Sequence, residues 1–209
     1  MENITTALLS FTALITALCS LIVALKKIKK EFDETIPKKI KRQSSIDMEI
    51  IKRMEATKEF LNADRVQIYD FHNGEHYANG RSALKVSCSY EVCRSGIRAC
   101  QMYLQSIPIN CIPKFIKTLL NREELKINNL EEIKYEMPAT YTLKKSQNIG
   151  SFFDIILNNR KGEPIGFLAF QYSKLNKVNF KENERNEILR LKFFIEENLE
   201  KMIERKEVK

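Results

Sequence analysis

The 209-residue chain predicts an α+β fold: an antiparallel sheet flanked by terminal helices, preceded by one N-terminal transmembrane helix. Three observations carry this. Ile4 to Leu25 is a run of 22 residues without a charge, and about 20 helical residues cross a hydrocarbon core. Ser151 to Leu157 and Pro164 to Tyr172 are strand-like segments joined by a polar turn containing Gly162. Residues 45–62 and 182–207 place apolar side chains at helical spacing at the two ends of the remaining chain. The division that follows is an anchor at 1–25, a basic juxtamembrane linker at 26–43 and one folded domain at 44–209.

A secretory signal would carry basic residues ahead of its apolar run. Here Met1, Glu2 and Asn3 lead, and the basic residues come after. The positive-inside rule then predicts a single-pass protein of the cell (inner) membrane, with its N-terminus outside and its domain in the cytoplasm. The flank holds Lys26, Lys27, Lys29, Lys30, Lys38, Lys39, Lys41 and Arg42, so most of the net charge of +8 sits in one short segment. It reads either as a stop-transfer flank or as a polybasic patch for anionic lipid. Nothing in it reads as a recognition helix, so nucleic acid is not an expected partner. Five cysteines without a CxxC spacing argue against a disulfide framework and for a reducing compartment.

Pro37 predicts a linker or kink. Ser44 or Ser45 can cap a helix over 45–62, with Ile46, Ile50, Ile51, Met54 and Leu61 on its stripe. Asp64 to His72 and Ser82 to Val92 read as strands, joined by a loop that holds His72 and His76 and turns at Asn79–Gly80. Gly96 to Leu104 and Cys111 to Leu120 read as helical, Leu125 to Asn129 as a short strand, and Met137 to Ser146 as a short helix and loop. After the hairpin, Ile188, Leu191, Ile195, Leu199 and Met202 form one stripe of the closing helix.

The run NIGSFFDIILNNRKGEPIGFLAFQYSK, followed by Phe180 and an acidic helix start, resembles the second half of a GAF domain. The resemblance extends over about 45–205. FHNGEHYANG is also similar to a loop in short membrane-anchored proteins of bacteria and their phages. The GAF resemblance implies a sensory module of the PAS/GAF superfamily, with a small-molecule cavity on the sheet face opposite the terminal helices and homodimer pairing through those helices. The functional expectation is therefore a membrane-anchored sensory or ligand-binding module without enzymatic output. The alternative is an interaction protein that recruits a partner, or nucleic acid, to the membrane.

Alternation along the second strand puts Leu84, Val86, Cys88, Tyr90 and Val92 on one face and Lys85, Ser87, Ser89 and Glu91 on the other. If the apolar face meets the terminal helices, the polar row lines the cavity. His72, Asn73, His76, Tyr77, Arg81 and Arg94 could approach the same place, and Arg81, Lys85 and Arg94 would favour a small anionic ligand. Turn stabilisation by Asn73 and His72 is the competing account of the loop. The sequence specifies no cofactor.

His72 and His76 bracket a glycine instead of sharing a helix face, so no metal site is predicted. Cys88 or Cys93 could pair with His72, yet Cys88 falls on the apolar face, where a cysteine packs. No GxSxG, P-loop, HExxH or GxGxxG motif occurs, and the chain is not expected to be an enzyme.

Overall fold

A computed structural model describes residues 13–26 and 36–203. Part of the apolar run, Lys27, Lys29, Lys30 and the last positions of the predicted closing helix, 204–207, lie outside the described residues. The chain forms two compact units that divide between Ser45 and Ile46. In the first, helix α1 (13–26) exposes Leu14, Leu18, Leu21, Ile22, Val23 and Leu25. Among the described residues no helix is long and apolar enough to cross a membrane.

Helix α2 (Ile36–Phe60) corrects the predicted start at Ser44 or Ser45. Pro37 sits in its first turn, where a fixed φ and a missing N–H cost nothing. Ser44 and Ser45 are therefore exposed mid-helix residues.

In the second unit six antiparallel strands run in the order β3-β2-β1-β6-β5-β4. They are β1 (Arg65–His76), β2 (Ser82–Cys93), β3 (Ile107–Pro108), β4 (Glu124–Ile127), β5 (Ser151–Asn158) and β6 (Pro164–Tyr172). Helices α3 (Pro113–Arg122) and α4 (Pro138–Ser146) come between β3 and β5, and α5 (Glu182–Ile203) closes the described chain. The centre of the sheet reads as continuous apolar runs because it is covered on both faces. On one face Ile50 and Met54 of α2 and Ile188, Leu191 and Ile195 of α5 pack on Val66, Ile68, Phe153 and Phe170. On the other, Phe115, Ile116 and Leu119 of α3 join Leu104, Ile112 and Met137 over Tyr69, Phe152 and Phe167.

Three local expectations change. The two histidines lie in no loop: β1 runs on to His76, and the turn is Tyr77–Arg81, closed by the Tyr77 N–H on Arg81 O at 2.9 Å. The segment 96–104 is not a helix but a single 3-10 turn at Gln101–Tyr103. Gly96 adopts a φ of +83°, and the Glu91 carboxylate takes the backbone N–H groups of Cys100 and Gln101 at 2.8 and 2.9 Å. Finally, β2 does not keep one phase.

The register passes from Ile68–Tyr90 to Tyr69–Cys88, so Ser89 is an extra residue in β2. Such a bulge reverses which face the following residues occupy. Tyr90 and Val92 pack toward α2 and α5, while Val86 and Cys88 pack on the opposite side with Tyr69. Leu84, expected in the core, is 52% exposed.

Candidate functional site

The bulge splits the expected polar row. Glu91 pairs with Gln67 and shares its face, away from α2 and α5, whereas Lys85 and Ser87 pair with His72 and Asp70 on the other face. Ser89 Oγ donates to Ile68 O at 3.3 Å within the bulge. Lys85, Ser87, Ser89 and Glu91 therefore form no common wall.

The remaining candidates fall into small groups. His72 Nε2 lies 2.8 Å from Ser87 Oγ, which accepts from the Ser106 N–H at 2.7 Å. His72 and Asn73 border an open, mainly apolar groove of about 370 Å³ with Phe71, Leu84, Ile116 and Leu120. His76 is exposed at the strand end. The Arg81 guanidinium covers the Tyr77 ring at 4.8 Å, a contact internal to the turn. Arg94 pairs with Asp64 at 3.3 Å and donates to Asn62.

Glu91 leads to a larger constellation. Gln67 of β1 is its cross-strand partner, Arg65 stands two residues along β1, and Gln171 of β6 pairs with Arg65; all point away from the terminal helices. Arg65 Nε is 3.1 Å from Glu91 Oε1, with the two side chains 4% and 2% exposed. This contact is an ion pair more than an aligned hydrogen bond. Arg65 Nη1 donates to Gln171 Oε1 at 3.0 Å and to Gln147 Oε1 at 3.4 Å, and Nη2 donates to Arg98 O at 2.7 Å. Gln67 Nε2 donates to Glu91 Oε1 at 2.8 Å, and Gln67 Oε1 accepts from Tyr69 Oη at 2.9 Å and Gln171 Nε2 at 2.7 Å. The Cys100 thiol donates to Glu91 Oε1 at 3.1 Å.

Buried polar groups need partners, and this network supplies them except at Arg65 Nε, which faces Glu91 without an aligned hydrogen bond. Burial works against the Arg65 charge, but Cys100, Cys93 and Glu91 outweigh it and hold the pKa above the ordinary range. Burial, and then the hydrogen bond to Glu91, push the Cys100 thiol up to about 12. At neutral pH Cys100 is therefore a hydrogen-bond donor and not a thiolate nucleophile. Burial raises the Tyr69 hydroxyl and the Cys88 thiol as well.

Above the network opens a cleft of about 510 Å³. Arg65 and Gln171 form its floor, the 96–104 segment one wall, and the end of α4 with Asn148 and Ile149 the other. Its size suits a small organic ligand. A second void of about 20 Å³ lies deeper, beside Tyr69, Phe115 and Lys144, and both cavities touch Leu143 and Gln147 of the α4 end. There Lys144 Nζ pairs with Asp154 and sits 4.2 Å from the centre of the Phe152 ring. Asp154 Oδ1 has no hydrogen-bond partner among the described residues.

Sequence reasoning missed Arg65, Gln67, Arg98, Cys100, Gln147 and Gln171. One signal was present: Arg65, Gln67 and Gln171 are polar residues interleaved with Val66, Ile68, Phe170 and Tyr172, in strands that read as central. A polar residue there must be buried with a partner.

No protein-family model and no curated protein matches the chain. Solved structures do. A GAF domain from Synechocystis sp. PCC6803 in its photoproduct state has a TM-score of 0.56 at 10% identity, covering 78% of this chain and 99% of its own. The GAF domain region of a Geobacter sulfurreducens PCA protein has a TM-score of 0.55 at 13% identity, covering 77% and 97%. A far-red cyanobacteriochrome photoreceptor has a TM-score of 0.55 at 13% identity, covering 87% and 98%. With its six-stranded antiparallel sheet between two helical layers, the domain has a GAF-like fold.

Proposed function

We propose that the chain is a membrane-anchored sensory or ligand-binding module without enzymatic output, whose GAF-like domain faces the cytoplasm. The observation that carries this reading is the cleft of about 510 Å³ over the Arg65–Glu91 network, on the sheet face away from α2 and α5. A fold shared with a photoreceptor supports it. The uncharged run Ile4–Leu25 and its basic flank support the anchor. Homodimer pairing through the terminal helices draws support from Met48 of α2 and Phe193 of α5, apolar residues 69% and 63% exposed. A ligand touching Gln147 and Arg98 would bear on both walls of the cleft. It would change the output only through unequal affinity for two arrangements of the domain.

The test uses the full chain in lipid nanodiscs. Native mass spectrometry looks for a co-purifying small molecule, and a metabolite library is screened by thermal shift. A ligand whose effect disappears when Gln147 is replaced by Trp supports the reading. A chain that carries no ligand and responds to none supports the recruiting role instead. One observation favours that second reading: the apolar groove beside Asn73, with Leu84 and Leu120 52% and 41% exposed, offers a surface for a protein partner.

A further inference from the structure

The proposal that the cleft binds a ligand leaves the class of ligand open, and the charges around it narrow that class. Three charged residues line it: Asp64, Arg65 and Arg98. Arg65 is neutralised by Glu91 at 3.1 Å. Asp64 is neutralised by Arg94 at 3.3 Å and accepts the Ser173 N–H and hydroxyl, both at 2.7 Å. Arg98 differs. Its exposed guanidinium lies 5.4 Å from the centre of the Tyr103 ring and makes a long 3.4 Å contact to the Tyr103 hydroxyl, with no carboxylate partner among the described residues. The cleft therefore carries one uncompensated positive charge, at its rim.

The floor ties this rim charge to a buried one. A guanidinium has five N–H groups. Arg65 gives both hydrogens of Nη1 to Gln171 and Gln147 and one hydrogen of Nη2 to Arg98 O, while Nε faces Glu91 without an aligned hydrogen bond. Because Arg65 holds the Arg98 carbonyl, the buried guanidinium and the rim guanidinium belong to one connected unit. The flanking walls are apolar, with Ile97 and Leu104 on one side and Leu143 and Ile149 on the other.

We propose that the cleft binds an organic monocarboxylate, its charge on Arg98 and its apolar body between the Ile97–Leu104 and Leu143–Ile149 walls. This rests on the ligand-binding reading of the same cleft. A phosphate dianion fits less well. It would place two charges against one free guanidinium, with the Asp64 carboxylate also in the lining, and no lysine faces the cleft.

The experiment titrates the full chain in nanodiscs with 2-naphthoate, octanoate, their neutral carboxamides and inorganic phosphate, reading affinity by calorimetry. The proposal expects each acid to bind about tenfold or more tightly than its amide, since a charge-assisted hydrogen bond is worth roughly 1.5–3 kcal/mol. Phosphate alone should bind weakly. Arg98→Ala should erase the acid–amide difference, Arg98→Lys should keep part of it, and Arg81→Ala, outside the cleft, should leave it intact. Acids and amides of equal affinity, or a difference that survives Arg98→Ala, overturn the monocarboxylate while the cleft still binds ligands. Binding of no acid, alongside a library ligand whose effect needs an open cleft at Gln147, also overturns only the class. Binding of no acid and no library compound overturns both.

Discussion

Lys144 Nζ of α4 lies 3.1 Å from Asp154 Oδ2 of β5, and both side chains are buried on the cleft side of the sheet. The pair fastens α4, one wall of the cleft, to the sheet. A buried pair gains little net energy because desolvation offsets attraction, but breaking it strands a charge. Asp154→Leu or Lys144→Met alone should each cost about 3–5 kcal/mol, and the double substitution much less than the sum. Urea unfolding of the set measures the coupling. Additive single and double effects would mean that the two groups do not interact energetically.

The same carboxylate sets a pH dependence. Burial raises the Asp154 carboxyl above its ordinary 3.8, and Lys144 acts in the opposite direction without cancelling it. The folded state therefore holds this proton more tightly than the unfolded state. Its contribution to stability is greatest below 3.8 and declines as pH rises from there through the raised folded value. The difference in unfolding free energy between the native chain and Asp154→Asn should fall over that window and level off above it. Asp70, which burial also raises, cancels in this difference. A difference that grew with pH would show that Lys144 outweighs burial.

Glu91 supports both the charge of Arg65 and the path of the 96–104 wall. Glu91→Gln leaves a cation 4% exposed without its counter-charge, at a cost of about 3–5 kcal/mol. A second readout separates this from a general loss of packing. The Glu91 hydrogen bond is the second cause, after burial, that pushes the Cys100 thiol up to about 12. Removing the carboxylate while Arg65 stays should lower that pKa, so alkylation of Cys100 by iodoacetamide should begin at lower pH. An unchanged alkylation profile would remove Glu91 from the control of this thiol.

Gly166 shows why a small residue opens the apolar strand after the hairpin turn. A Cβ there would stand 2.0 Å from Tyr69 O and 3.2 Å from Asp70 Cα, both main-chain atoms of the paired strand. Gly166→Ala must therefore push β1 and β6 apart, a loss of about 3 kcal/mol or more. Gly162 has a φ of +77° and open space around it, so Gly162→Ala should cost only the left-handed conformation, about 1–2 kcal/mol. Thermal unfolding of the two variants should rank them in that order. Equal losses would mean that the sheet absorbs the clash.

What the residues reveal from sequence depends on how local the physics is. The β5–β6 hairpin and the stripe Ile188–Leu191–Ile195 are visible because turn chemistry and periodicity act within a few positions. The bulge at Ser89 is invisible to alternation, because one extra residue depends on the partner strand and reverses every later assignment. That single residue separates Lys85 and Ser87 from Glu91. The cleft floor was hidden for a related reason. Arg65 and Glu91 stand 26 positions apart, and Gln171 is 106 positions from Arg65. Only the pairing of β1 with both β2 and β6 brings them together. The histidines attracted notice by being rare, yet His72 contacts Ser87 and the His76 side chain is exposed.

The anchor is tested by separating a span from a surface contact. Helix α1 covers residues 13–26, about 21 Å at 1.5 Å per residue, and a hydrocarbon core is about 30 Å thick. A crossing therefore needs residues 4–12 as well, which are uncharged. An amphipathic surface helix would keep a charged face, whereas residues 13–25 carry no charge on any side and the exposed apolar side chains of α1 spread over Leu14, Ile15, Leu21 and Val23. The full chain should stay in the membrane fraction after alkaline carbonate washing, and a chain lacking residues 1–25 should not. Orientation depends on the cations that follow the run. Changing Lys26, Lys27, Lys29 and Lys30 to Gln should leave the chain membrane-bound but expose the domain of a fraction of the molecules to protease added outside spheroplasts, because the charge bias that would set the proposed orientation is reduced. Release of the full chain by carbonate would make the segment a surface anchor. Full protection of the four-glutamine variant would assign orientation to something other than this flank.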